Sequence, residues 1–373
     1  MLRPSIFLLN ALALQRTNAQ FPRPSGRITE YAEVSILDTP CETEFHPLQP
    51  DIAWVELIAG NAILRVNVTS GEETRFPLAN PLGLPSGMEF MQDGCLWFSE
   101  VAGNSMVRLN PVDGSMTTFP FPWSGVGLID NLPIGPRVTI DVSGNRDSCA
   151  YFTAAALNSI GCIDIFTYEY ELYPIPTPLS VPAVIQPGPT ADTMVFVELV
   201  GNKIGVLNIV TKQITEFEVP TPSSLVQALT TGPDGLVYYS GNTGGQIGSL
   251  NIHTGEFREV FIADIRAAGK STVIQPDGTS GIISDLLGES IGSSALAAIP
   301  GPLRFGADGK LYFVEGNLVF LGNRIGAYDF ATGELVEYVT PTSASGPCDL
   351  NNQIPGTIFF AEFTGGKLGR LDY

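Results

Sequence analysis

Val197-Glu198-Leu199-Val200-Gly201-Asn202-Lys203-Ile204-Gly205-Val206-Leu207-Asn208, followed by Ile214-Thr215-Glu216-Phe217 and Val219-Pro220-Thr221-Pro222, returns in altered form at the C-terminus. There it reads Phe360-Ala361-Glu362-Phe363-Thr364-Gly365-Gly366-Lys367-Leu368-Gly369-Arg370-Leu371-Asp372-Tyr373 and stops where the Ile-Thr-Glu-Phe strand should follow. The missing strand lies at the other end of the chain, as Gly26-Arg27-Ile28-Thr29-Glu30-Tyr31. A repeat divided between the two termini is what a closed ring requires. An all-β, seven-bladed β-propeller, closed by an N-terminal strand completing the last blade, is therefore predicted; radial repetition removes long exposed sheet edges.

Each copy has the same grammar: a strand after a Pro or Gly turn, an aromatic strand ending in Glu, an Asn/Gly turn, an Ile-Gly strand, a Thr-Gly-Glu turn and a last strand. Short alternating apolar runs bounded by Gly, Asn, Asp and Pro are strand and hairpin signals. Copies are recognised at Trp54-Val55-Glu56, Leu96-Trp97-Phe98-Ser99-Glu100, Tyr151-Phe152-Thr153, Val197-Glu198, Val237-Tyr238-Tyr239, Tyr312-Phe313-Val314-Glu315 and Phe360-Ala361-Glu362. Their aromatic residues are expected between blades, and Asn61, Asn104, Asn202 and Asn323 in turns, because Asn tolerates the left-handed conformation. The spacing breaks once, at an insertion over 263–298 between blades five and six. Long insertions are functional or disordered as a rule, so a lid, a mobile loop and a small packed helix are all open here.

Residues 1–19 have the form of a secretory signal: Arg3, an apolar run from Ile6 to Leu14, and Thr17-Asn18-Ala19 at the end. Residues 20–373 then form a single propeller domain, secreted and extracellular. The chain has 38 acidic against 19 basic residues and a net charge of −19, which disfavours nucleic acid and anionic membranes as partners. A monomer acting on a small-molecule, cyclic-ester or glycan ligand is expected. Asn67-Val68-Thr69 is a glycosylation sequon. Of five cysteines, Cys149 and Cys162 flank one predicted hairpin turn. Cys41 and Cys348 hold equivalent places in blades one and seven, where a disulfide would staple the ring. Cys95 is left free.

The recurrent glutamates Glu56, Glu100, Glu198, Glu315 and Glu362 carry two readings. They hold the following turn, or they converge on a hard cation such as Mg2+ or Ca2+, which prefers oxygen ligands. Glu315 and Glu362 are the candidate metal ligands, with Glu42, Glu89 and Asp349 near the inner strands as further axial carboxylates. His46 is the candidate imidazole base, and His253 falls in a surface turn. The sequence contains no Gly-x-Ser-x-Gly elbow, no His-Glu-x-x-His and no phosphate-cradling loop.

The phrases Leu-Trp-Phe-x-Glu, Gly-Asn-Lys-Ile-Gly, Ile-Thr-Glu-Phe and Val-Pro-Thr-Pro resemble the streptogramin B lyase (virginiamycin B lyase) repeat family over about Gly26 to Tyr373. The resemblance implies a seven-bladed propeller and Mg2+-dependent opening of a cyclic depsipeptide by elimination at an ester. It also implies a His base after the Pro that opens an inner strand and a metal-holding Glu on the aromatic strand. Glu315 and Glu362 match that Glu. The His positions hold Cys41, Ser86, Ala183, Gly301 and Cys348. Three functions follow as alternatives: a metal-dependent lyase opening a cyclic ester, lactone or related molecule; a calcium-dependent lactonase of the gluconolactonase type; and a non-catalytic binding propeller.

Overall fold

The computed structural model describes residues 27–123, 139–144, 147–282, 299–316 and 322–373. The expected signal segment and residues 283–298 of the insertion lie outside them. The strands form seven sheets, one per blade, each built on four antiparallel strands running from the inside outward, in consecutive order in every blade but the seventh. The inner strands are Pro40–His46, Pro85–Phe90, Thr139–Gly144, Pro182–Pro187, Val226–Thr231, Pro300–Phe305 and Pro347–Asn351. Each packs against the inner strands of the adjacent blades.

The seventh blade joins the two termini as expected. Strands Pro347–Asn351, Thr357–Glu362 and Lys367–Asp372 are followed outward by Arg27–Glu33, with Ile28 opposite Leu371 and Glu30 opposite Gly369. Cys41 and Cys348 form a disulfide across the closure, with Cα atoms 4.9 Å apart at a sequence separation of 307. Cys149 and Cys162 are bonded within blade three at a Cα separation of 5.5 Å. Cys95 is free and buried.

The repeated phrases have steric and polar causes. The Gly of Ile-Gly sits opposite an aromatic residue of the second strand: Gly161 opposite Phe152, Gly205 opposite Phe196, Gly326 opposite Phe313. A Cβ there would come within 2.2, 2.1 and 2.3 Å of the ring, so only Gly lets the ring lie flat on the strand. The turn Asn adopts positive φ at Asn61, Asn104, Asn158 and Asn202. Asn202 then clamps the next linker: Nδ2 donates to the Val219 and Thr221 carbonyls, and Oδ1 accepts from the Ser224 N–H and hydroxyl, all between 2.9 and 3.1 Å. The Thr of the Pro-Thr linker caps the outer-strand Glu of the next blade. Thr177 meets Glu216, Thr221 meets Glu259, and Thr342 meets Glu30 across the closure.

The described part of the insertion is packed structure. Helix Ile262–Ala267 buries Ile262 and Ile265. Strand Ser271–Ile274 then runs parallel to the outer strand Glu334–Val339, and Ser280–Ile282 pairs outside it, widening blade six to six strands.

A bond closing so long a loop limits the unfolded chain strongly. Replacing Cys41 and Cys348 by Ser should lower the unfolding free energy by about 2–5 kcal/mol, seen as a lower denaturant midpoint. An unchanged midpoint would mean that strand pairing alone holds the ring.

Candidate functional site

In all seven blades the register between inner and second strand slips near the start of the inner strand, as between Pro40 and Thr43 or between Pro300 and Leu303. A bulge bends the strand, interrupts the ladder and re-aims side chains. Here it leaves carboxylates reaching to the neighbouring blade. Glu42 accepts the Met88 N–H at 2.5 Å, Glu89 accepts the Gly144 N–H at 2.7 Å and the Ser143 hydroxyl at 2.8 Å, and Asp141 accepts the Ile185 N–H at 2.8 Å.

These carboxylates line a cavity of about 120 Å³ on the propeller axis. Glu42, Glu44, Glu89, Asp141 and Asp349 face it together with a single cation, Arg304; Gln186, Asn351 and Gln353 complete the polar wall. Arg304 lies 3.5 Å from Asp349 and donates to the Leu303 carbonyl at 2.9 Å. Glu44 accepts from Gln353 at 2.6 Å.

Crowding sets the ionisation. Burial, with Asp141, Glu56 and Asp349 close by, holds Glu42 well above the usual carboxylate range. Burial and the Glu89 charge do the same to Glu44. Asp141 is pushed up to about 7, chiefly by burial, against the stabilising Ile185 N–H. Burial opposes the Arg304 charge, but Asp349, Asp141, Glu44 and Glu42 outweigh it and keep the guanidinium ionised. The site stores protons that an incoming positive charge could displace.

Of the candidate residues, Glu42, Glu89 and Asp349 meet at this cavity. Glu44, Asp141 and Arg304 had not been singled out. The available signal was position: four residues after the inner-strand Pro stand Glu44, Glu89, Gln186, Arg304 and Asn351, all polar. Asp141 was hidden because Thr139 takes the Pro place in blade three. Glu56 does not belong with the other recurrent glutamates. Leu57 pairs with Pro40 as Glu100 pairs with Pro85, and a one-residue offset puts Glu56 on the other face of its strand. It accepts the Gly87 N–H instead.

His46 is not part of the cavity wall. Its Nδ1 accepts the Leu48 N–H at 3.1 Å and its ring packs edge-on against Phe90. Asn67 closes its turn by accepting the Thr69 and Ser70 N–H groups, as Asn208 and Asn251 do in turns without a sequon.

Glu315 and Glu362 each have neighbours of their own. Arg266 lies 2.7 Å from both Glu315 oxygens. Glu362 is buried with neither oxygen hydrogen-bonded, and burial and the neighbouring Glu30 push it up to about 8. A Mg2+ or Ca2+ shared by the two does not fit this arrangement, since a guanidinium already occupies both oxygens of one partner. Among the described residues no group of three or more His, Cys, Asp and Glu side chains is arranged to hold a metal ion.

The virginiamycin B lyase family profile matches residues 51–283. The chain belongs to the virginiamycin B lyase family. Selenomethionine-substituted virginiamycin B lyase from Staphylococcus aureus shares the fold at a TM-score of 0.73 and 23% identity, over 93% of this chain and 99% of that one. A catalytically inactive His-to-Ala variant of virginiamycin B lyase from that organism, with quinupristin, gives 0.73 at 22%, over 93% and 99%. A streptogramin B lyase structure gives 0.71 at 21%, over 92% and 96%. No curated protein matches the sequence. Cys41 and Cys348, two of the five positions at which the sequence resemblance implied a His, are bonded to each other. A cavity of only about 10 Å³, bordered by Gln227, Gly301 and Cys348, lies beside them.

Glu362 makes stability depend on pH. Its folded pKa of about 8 exceeds its ordinary value of 4.5, so its contribution is present below about pH 4.5 and is lost as pH rises through about 8. Glu362→Gln fixes the neutral form. It should raise the unfolding free energy at pH 9 by on the order of 1–3 kcal/mol and leave that at pH 4 nearly unchanged. Parallel pH curves of wild type and variant in denaturant titrations would contradict this.

Proposed function

We propose that this family member is a secreted, monomeric binding propeller whose axial cavity takes a small cationic ligand, an organic ammonium or guanidinium group. The observation that carries the reading is the cavity wall itself: five carboxyl groups and one guanidinium around about 120 Å³. Two disulfides support an oxidising, extracellular setting. No helix among the described residues is long and apolar enough to cross a membrane.

Ring opening by elimination needs a base beside the ester and a group to stabilise the developing negative charge. Cys41 and Cys348 are consumed in a disulfide, and His46 lies outside the cavity wall. Asp141 is pushed up to about 7, yet its two oxygens already accept the Val142 and Ile185 N–H groups. Binding thus explains the residues better than the family's lyase reaction or lactone hydrolysis.

Calorimetry with ethylenediamine and arginine methyl ester tests the reading. Binding of at least one probe should release protons, measured as a dependence on buffer ionisation enthalpy. It should also weaken as pH falls through about 7, where Asp141 protonates. Glu42→Gln combined with Asp349→Asn should weaken it at least tenfold, or by about 1.4 kcal/mol. No binding by any probe, or turnover of a cyclic depsipeptide or lactone by the wild-type protein, would overturn it.

A further inference from the structure

Three blades carry the same pair of carboxyl groups. In blade four Glu198, at the end of the second strand, faces Glu216 of the outer strand. In blade seven Glu362 faces Glu30, and in blade six Glu315 faces Glu337. In each, a cation at the start of the third strand holds the outer member: Lys203 at 3.2 Å from Glu216, Lys367 at 2.5 Å from Glu30, and Arg324 at 3.3 Å from Glu337. Two carboxylates so close, with one cation, cannot both ionise in a buried setting. In blades four and seven Glu198 and Glu362 are pushed up to about 7 and 8, by burial first and the partner carboxylate second.

Blade six has a second cation, and it comes from the insertion. Arg266, on the helix Ile262–Ala267, is 3% exposed. Its Nη2 lies 2.7 Å from both oxygens of Glu315 and also donates to Glu337. Ser271, on the next strand, donates its hydroxyl to Glu337. Burial and the Glu337 charge push Glu315 up to about 8, as in the other two pairs, but here two guanidinium groups stand beside the carboxyls. The network lies at the seam where Ser271–Ile274 joins the outer strand of the blade.

We propose that Arg266 is the resident cation of the blade-six carboxyl pair, standing where the family resemblance had implied a metal ion, and that it latches the insertion to the propeller. Blade six is therefore metal-independent, and the insertion is bound through charge as well as through its added strand.

Hydrogen exchange resolved by peptide, on the intact secreted chain, tests this together with thermal unfolding. In the wild type, chelator and millimolar Mg2+ or Ca2+ should leave exchange in 271–274 unchanged. Arg266→Ala, which strands two buried carboxyl groups, should speed exchange there at least tenfold while exchange in blade four stays as it was. Arg266→Met with Glu315→Gln removes charge from both sides and should recover much of the protection, because an apolar replacement of a buried ion pair is tolerated where removal of one partner is not. Should Arg266→Ala fail to fold, Ser271→Ala gives the same readout through the milder loss of one hydrogen bond to Glu337. Chelator-sensitive exchange in the wild type, or unchanged exchange in 271–274 in both Arg266→Ala and Ser271→Ala, would overturn the proposal. Neither outcome bears on the axial cavity, whose carboxylates lie on the inner strands.

Discussion

The closure of the ring is the constraint on which the other features depend. Seven sheets packed face to face around an axis leave one seam, and the seam must be joined by residues from opposite ends of the chain. Here it is joined twice: by the ladder between Arg27–Glu33 and Lys367–Asp372, and by the bond between Cys41 and Cys348. The ladder is non-local in sequence, so its loop-closure entropy must be met before it is rewarded. The disulfide reduces that entropy in the unfolded chain. It also places sulfur at the start of two inner strands, Pro40–His46 and Pro347–Asn351.

Once the ring is closed, inner strands from different sheets approach one another without sharing a ladder. Their bulges leave backbone donors facing the axis, and buried donors need partners. Glu42, Glu89 and Asp141 supply them from the adjacent blade. Their gathering has an electrostatic cost, visible in carboxyls raised above their usual range and in a guanidinium held charged among them. The same groups thus tie the blades and make the axis receptive to positive charge. The outer carboxyl pairs of blades four, six and seven repeat the theme, each with a cation on its outer member, and blade six adds Arg266 from the insertion.

Much of the architecture was legible as a one-dimensional repeat. The split phrase at Glu362–Tyr373 and Gly26–Tyr31 predicts the closure, and the disulfide pairs follow from equivalent places in blades one and seven and from one hairpin in blade three. Local rules suffice there: Gly opposite an aromatic ring, Asn at positive φ, Thr before a linker Pro. Glu56 marks where such reading fails. It follows an aromatic strand and looks like its counterparts, but one extra residue in the ladder turns it to the other face.

The sequence by itself determined the blades, their number, the latch and the acidic character of the chain, because these are set by short-range periodicity and composition. It also placed Glu42, Glu89 and Asp349 near the axis, because inner-strand positions repeat. Only the tertiary structure decided which carboxyls meet across blades, that Arg304 stands among them, that His46 lies outside the cavity wall, and that Arg266 answers Glu315. Those outcomes join residues from 49 positions apart, as for Arg266 and Glu315, to more than three hundred, as for Glu44 and Gln353. The bulge at each inner strand and the path of the insertion set such meetings, and neither is encoded in the local pattern of any one repeat.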